Sequence, residues 1–509
     1  MVTSVVWFKR DLRVHDHAPL AAAAARGPVL CLYVVEPSVW RQPDAATQHW
    51  HFVQESLADL ETALAGLGLA LSVVTGEVIE VLGRLMQAKP FDHLESHEET
   101  GNGVTFQRDQ AVLRWCRARG VRWTEWPTFG VVRRLPSRDG WRRRWEAHVQ
   151  AAQVPVSAQV AGLALPWSEA APPAAYMLGL ADPDPPMRQQ GGRGRAVEVL
   201  QTFLSERSAA YRGGISSPLR APTACSRLSP YLAHGCLSLR EVVQATRERL
   251  SALPPGARYH RLGLEAFMSR LTWHCHFIQK LEDEPALEWH NLHRGYDGLR
   301  EEAFNPAHFE ALTEGRTGWP MVDACVAMLR ETGWLNFRMR AMLVSVAAYP
   351  LWLHWRPVGE WLARQFLDYE PGIHWSQLQM QSGTTGINTT RVYNPVKQAK
   401  DHDPEGRFVR RWLPVLRRVP DAWLLEPWRM PPAVQARCGV AVGRDWPMPV
   451  IDLERATREA KARLHQRRAV PEVKAGKADI VRRHGSRAPA SGWSGRAVPQ
   501  ADPTQLSLF

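Results

Sequence analysis

A chain of 509 residues is longer than one ordinary core, so two or three domains are expected. Hydrophobic residues at 45% and charged residues at 22% are ordinary for a globular protein. The net charge of +12 suits an acidic partner such as nucleic acid, although half of the excess lies beyond Ile451, where twelve Lys/Arg stand against six Asp/Glu and a solvated basic tail would read the same.

In chain order, Ser4–Phe8, Val29–Val35, Leu69–Val74, His93–Ser96 and Val121–Trp126 read as buried strands. His49 to Ala65 and Thr105 to Arg119 carry helical spacing between them, so residues 1–150 predict an α/β domain with a Rossmann-like parallel sheet. No GxGxxG follows the first strand, which speaks against a nicotinamide dinucleotide site. Lys9, Arg10 and Asp11 interrupt the start before a secretory apolar core could form. Residues 151–195 turn rich in Ala, Pro and Gly and read as a linker.

From 196 to 450 the period becomes 3.6 and an all-helical domain is expected. Pro320 suits a first helical position, with Val322, Cys325, Val326 and Leu329 on one face and Gly333 at the C-terminal cap. A second helix is placed from Pro357, with Glu360 and Arg364 as an i,i+4 pair. The apolar run Met342 to Trp355 is too short to span a bilayer and holds Pro350, so no membrane partner is expected. Residues 451–509 begin with a charged helical stretch and are expected to be a basic, disordered tail. Seven scattered cysteines form no CxxC pair, which disfavours a zinc ribbon or disulfide framework and favours the cytoplasm.

Three segments carry a resemblance. WFKRDLRVHDHAPL (Trp7 to Leu20), CSRLSPYLAHG (Cys225 to Gly235) and the block Thr317 to Leu416, with TGWPMVDACVAMLRETGWLNFRMR and RVYNPVKQAKDHDPEGRFVRRWLP, stand in the order found in the photolyase/cryptochrome family. The chain resembles members without the iron–sulphur cysteine quartet. The resemblance implies non-covalent FAD in the helical domain, with a second antenna chromophore of unknown identity in the sheet domain, near the loop His97 to Gly103.

Residue by residue, the resemblance places Ser226, Arg227, Leu228 and Ser229 at the FAD phosphates, with Tyr211 nearby. Taken alone, Ser-x-x-Ser before a helix is equally a plain N-cap. Arg340 and Asp368 match a pair beside the flavin ring, although a buried salt bridge would look the same. Glu370 stands for a usual Asp. Trp273 matches the residue that stacks on a flipped lesion, and Arg338 one that faces DNA or the cavity. Arg270, His274 and Phe337 depart from the usual Glu, Arg and Asn. Phe337 and Ala341 replace the two histidines of (6-4) enzymes, which disfavours that chemistry. His374 takes a place facing the flavin N5, where it would donate or accept according to pH.

The usual relay of three tryptophans is interrupted by Leu378 and Leu312. Trp355 keeps the middle place, and Trp352 and Trp361 are expected to reroute it, with Trp375 close by. The function implied is splitting of cyclobutane pyrimidine dimers in damaged DNA by a monomer. The alternative is a cryptochrome-like photoreceptor without repair.

Overall fold

The computed structural model describes residues 3–155, 159–167, 171–387 and 392–485. Five strands form one parallel sheet in the order β3-β2-β1-β4-β5: β1 Ser4–Phe8, β2 Val29–Val35, β3 Leu71–Thr75, β4 His93–His97 and β5 Arg122–Trp126. All residues of β1 and β2 are buried, as continuous apolar runs in a sheet covered on both faces must be. One face packs with Val6, Phe8 and Leu57, the other with Val5, Leu82 and Val112. The strand order reverses at β1, so the loops at the carboxyl ends of β1, β2 and β4 converge on a crevice.

The loop after β1 is fixed from inside. Asp11 accepts hydrogen bonds from the Lys9 amide at 2.7 Å, from His17 Nε2 at 2.9 Å and from His97 Nδ1 at 2.7 Å. The His17 Nδ1 accepts from the Leu20 amide, so its Nε2 carries the proton given to Asp11. Burial pushes His97 down to about 3, and the ring is neutral at pH 7. Arg10 and Arg13 extend from the same loop to the carbonyls of Ala233, Tyr369 and Gly235, which ties the sheet to the helical half.

The division at residue 150 is not sharp. Trp141, Trp145 and Val149 of helix α1 (Trp141–Gln150) belong to the apolar core of the helical half. The segment expected as a linker packs too: Val29 pairs with Gly162 in a bridge, and Val160, Leu178 and Leu180 lie in the sheet's core.

The helical half is built around α2 (Arg258–Asp283), α3 (Pro320–Thr332), α4 (Phe337–Ala348), α5 (Trp355–Gln365) and α6 (Pro371–Ser382). Helix α3 has the expected Pro start and left-handed Gly333. Helix α5 begins two residues before the expected Pro357, and Glu360 pairs with Arg356 at 3.0 Å instead of Arg364.

The expectation of a disordered tail fails for residues 453–484. They form α7 (Leu453–Ala469) and α8 (Pro471–His484), which bury Ala460, Leu464, Val473 and Ile480 against the helical half. Sparse apolar residues at helical spacing suffice where a partner surface exists, and high charge on the outer faces masked them. Residues 486–509 and Arg391 lie outside the described residues. Among the described residues, no helix is long and apolar enough to cross a membrane.

Candidate cofactor cavity

Three helices each give one stripe to a cavity of about 290 Å³. Arg270, Trp273, His274 and Phe277 come from α2; Phe337, Arg340, Ala341 and Val344 from α4; Ile373, His374, Gln377, Leu378 and Gln381 from α6. These are i, i+3, i+4, i+7 positions or their close relatives, the spacing that puts side chains on one helix face. The helices can approach closely because a Cβ at Gly372 would meet Ile278 Cα at 2.6 Å, and one at Gly359 would meet Leu378 and Trp375 at 2.5 Å.

Tyr211, Ser226, Arg227 and Ser229 complete the wall together with Asp368, Tyr369 and Glu370. Every cofactor-binding residue expected from the sequence lines this cavity except Leu228, which is 1% exposed and turns into the apolar core. Trp273 and His374 line it as well. Arg338 does not: it sits one position off the α4 stripe, with its guanidinium 5.5 Å from the Tyr393 ring. Sequence reasoning passed over Asn336, Tyr369, Gln377 and Gln381; helical spacing from His374 marks the two glutamines.

Arg340 donates from both terminal nitrogens to the two Asp368 oxygens, each at 2.9 Å, and from Nε to the Leu335 carbonyl at 2.6 Å. Burial alone would raise the Asp368 carboxyl, but Arg340 and the Ser229 hydroxyl outweigh it and hold it below the usual range. The pair is fork-to-fork and fixed in orientation.

Arg227 has φ of 62°, in the left-handed region that a non-glycine residue enters at a cost. Its Nε donates to Gln189 Oε1 at 3.0 Å, and its guanidinium stacks 3.9 Å over Trp334. No carboxylate among the described residues forms an ion pair with it, and burial pushes it down to about 10. A charge so placed is short of an anion. Asn336 lacks a donor instead: its Nδ2 donates to the Ile215 carbonyl at 3.0 Å, while its Oδ1, an acceptor, is buried with no partner among the described residues. A ligand that brings both an anion and a hydrogen-bond donor would complete the two, and FAD, with a pyrophosphate and with hydroxyl and N–H groups, fits this pair.

The remaining titratable groups are displaced by burial. Glu370 is pushed up to about 7 despite Arg10 at 3.1 Å. His274 and His374 are each pushed down to about 4. His374 lies 2.9 Å from the Gly359 carbonyl through Nε2, so that nitrogen carries the proton and Nδ1 is left as an acceptor. The expectation that His374 titrates near neutrality is therefore corrected: a buried imidazole held this way is neutral at pH 7. Arg270 donates to the Tyr211 hydroxyl, so its charge is engaged within the wall.

The expected tryptophan route is not continuous. Trp355 meets Trp375 at 5.9 Å between ring centroids, and Trp375 meets His374 at 5.0 Å. Trp352 packs between Arg300 and Arg463, and among the described residues neither it nor Trp361 has a ring contact with Trp355. Adjacent helical turns in sequence do not put indoles together when a left-handed Trp352, with φ of 52°, breaks the chain before α5.

A second cavity of about 140 Å³ opens at the carboxyl ends of β1, β2 and β4, lined among others by Trp7, Tyr33, Trp40, Asn102 and Arg108. Arg108 reaches Glu36 at 2.9 Å, Glu99 at 2.6 Å and Asp109 at 2.9 Å. Tyr369 lines both cavities and donates its hydroxyl to Asp44 Oδ2 at 2.6 Å.

Residues 4–132 match the family profile "DNA photolyase", and residues 267–466 match "FAD binding domain of DNA photolyase". The chain is 30% identical over 492 residues to a deoxyribodipyrimidine photo-lyase of Streptomyces griseus, covering 92% of this chain and 100% of that one. It is 29% identical to cryptochrome DASH of Gloeobacter violaceus, covering 89% and 93%. A bacterial class III photolyase of Agrobacterium tumefaciens shares the fold with a TM-score of 0.81 at 24% identity, covering 92% of this chain and 98% of that one. The chain belongs to the photolyase/cryptochrome family and carries its FAD-binding domain.

Proposed function

We propose that this chain is a light-dependent DNA repair enzyme that splits cyclobutane pyrimidine dimers. The observation that carries the reading is Trp273: it stands on the cavity stripe of α2, stacked with Phe277 at 5.6 Å, where a base flipped out of the duplex would meet an aromatic face. Bound FAD supplies the light-driven electron donor. The protein's own residues bind and orient: Arg227 takes pyrophosphate charge, Arg340 and Asp368 fix the ring's surroundings, and neutral His374 offers Nδ1 as an acceptor. The net charge of +12 supports duplex binding through phosphates. Names among the relatives include deoxyribodipyrimidine photo-lyase, which supports the substrate class.

One observation favours a photoreceptor instead. Arg270, at the place of the usual lesion-binding Glu, is tied to Tyr211 and gives no carboxylate to a lesion. The second cavity is our site for an antenna chromophore, with Glu99, Gly101 and Asn102 of the expected loop in its wall. Trp375 and Trp355 are our relay for flavin photoreduction. Seven free cysteines, all buried, fit a reducing cytoplasm, and we read the protein as a monomer acting on damaged DNA.

The test is light-driven repair of a thymine dimer in duplex DNA by purified, reduced protein. Loss of dimers in blue light and not in darkness supports repair; intact dimers with a full flavin complement leave the photoreceptor.

A further inference from the structure

We propose that a third cavity binds a nucleoside phosphate, with Arg207, Arg227 and Arg411 at the phosphate and Trp412 against the ring. Its volume is about 460 Å³, larger than either cavity above and ordinary for a small-ligand site. The wall holds three arginines and no Asp or Glu. Among the described residues none of these three guanidiniums forms an ion pair, although arginines beside the cavity do. Arg188 meets Glu55 at 2.7 Å, Arg407 meets Glu405 at 2.6 Å, and Arg410 meets Asp421. The nearby acids are taken by arginines outside the wall, and the wall itself stays cationic.

The cavity is held open by bonds of its own. Arg207 donates to the carbonyls of Cys225, of Val199 at 2.7 Å and of Ser226 at 3.2 Å, which fixes its guanidinium beside the backbone of Arg227. Met187 and Gln189, from the segment expected as a linker, form another part of the wall. The Met187 amide donates to the Glu331 carbonyl of α3 at 2.8 Å. Arg411 and Trp412 end the short helix Arg407–Trp412, with the Arg411 guanidinium 5.4 Å from the Trp412 ring centre. A guanidinium beside an indole can take a phosphate and a flat ring together. Burial pulls Arg207 below its ordinary value, as it does Arg227, so an anion that reaches them gains more than it would in water. Arg227 also lines the first cavity. One cation then serves two anions that repel each other, so a nucleotide here weakens the hold on FAD, and FAD weakens the nucleotide by the same factor. This coupling rests on the reading of Arg227 given above; nucleotide binding does not.

The test is calorimetric titration of the FAD-loaded protein with ADP, and with pyrophosphate and adenosine as its two parts. ADP should bind, pyrophosphate should bind more weakly, and adenosine should not bind. Arg411→Glu, at the parent's flavin content, should weaken ADP at least about tenfold, while Arg407→Ala, outside the wall, leaves it unchanged. Trp412→Leu should weaken ADP and leave pyrophosphate alone. Saturating ADP should lower the affinity for FAD several-fold in the parent and not in Arg411→Glu. Absence of ADP binding, or equal affinity in the parent and Arg411→Glu, would overturn the proposal. So would displacement of ADP by an undamaged duplex oligonucleotide, which would make the cavity part of a DNA face. ADP that replaces FAD one for one in both proteins would sit in the first cavity and overturn it too. ADP bound with FAD affinity unchanged would overturn the coupling. Arg227→Ala with reduced ADP affinity and parent FAD affinity would strike the reading of Arg227 at FAD alone.

Discussion

Among the described residues, the Arg227 guanidinium in the helical half meets an amide and an indole but forms no ion pair, whereas Arg108 at the end of the sheet touches three carboxylates. Both are embedded guanidiniums beside a cavity, yet burial pulls Arg227 down to about 10 while the acids around Arg108 raise it well above its ordinary value. The first cavity holds a cation with no ion pair among the described residues, which suits an anion that arrives from outside. The second has its charge neutralised from within, which suits a ligand held by shape and stacking. Two cavities of one chain thus differ less in the residues they contain than in whether those residues already have partners.

The comparison can be broken most strongly at Arg340. Arg340→Met leaves Asp368, whose side chain is 4% exposed, as a buried carboxylate without its cation. Stability in denaturant should fall by about 3–5 kcal/mol, and the protein should be purified with little flavin. A loss below 1 kcal/mol would mean the pair is not what organises the cavity.

Much of this was legible beforehand, for reasons the residues explain. Val29–Val35 announces a strand because a sheet covered on both faces needs an unbroken apolar run, and its bounds match the structure. The three cavity stripes follow from helical spacing once one member of each is known. Arg338 and Leu228 failed because a motif names neighbours in sequence while the helix or turn sends only some of them inward. The tail failed because α7 and α8 bury few side chains each, and their partner surface is far away in sequence. Ten of the twelve Lys/Arg beyond Ile451 lie before residue 486 and so belong to packed helices and their flanks.

The pH dependence sharpens the contrast further. His374 is held down to about 4 in the folded protein against an ordinary 6.5. Its contribution to stability is fully present above pH 6.5 and is lost as pH falls toward 4, because the unfolded chain takes up the proton first. Measured as unfolding free energy against pH, the parent should lose up to about 3 kcal/mol more than His374→Asn across that window. Parallel curves for the two proteins would show that His374 is not buried neutral.

Photoreduction gives a smaller effect. Trp375→Phe should slow blue-light bleaching of the flavin with a thiol donor several-fold, and Trp355→Phe should do so as well. Trp361→Phe should leave the rate alone, since that indole has no ring contact with Trp355. Equal rates in all three would remove the proposed relay.

The difference between the two arginines is tested most directly by titrating FAD into flavin-free protein. Arg227→Ala would remove the charge-assisted phosphate contact proposed above, so affinity should fall by about 1.5–3 kcal/mol, or tenfold and more. Arg108→Gln, although it unsettles three buried acids, should bind FAD as the parent does. Equal affinities for Arg227→Ala and the parent, or a larger loss for Arg108→Gln than for Arg227→Ala, would contradict the account.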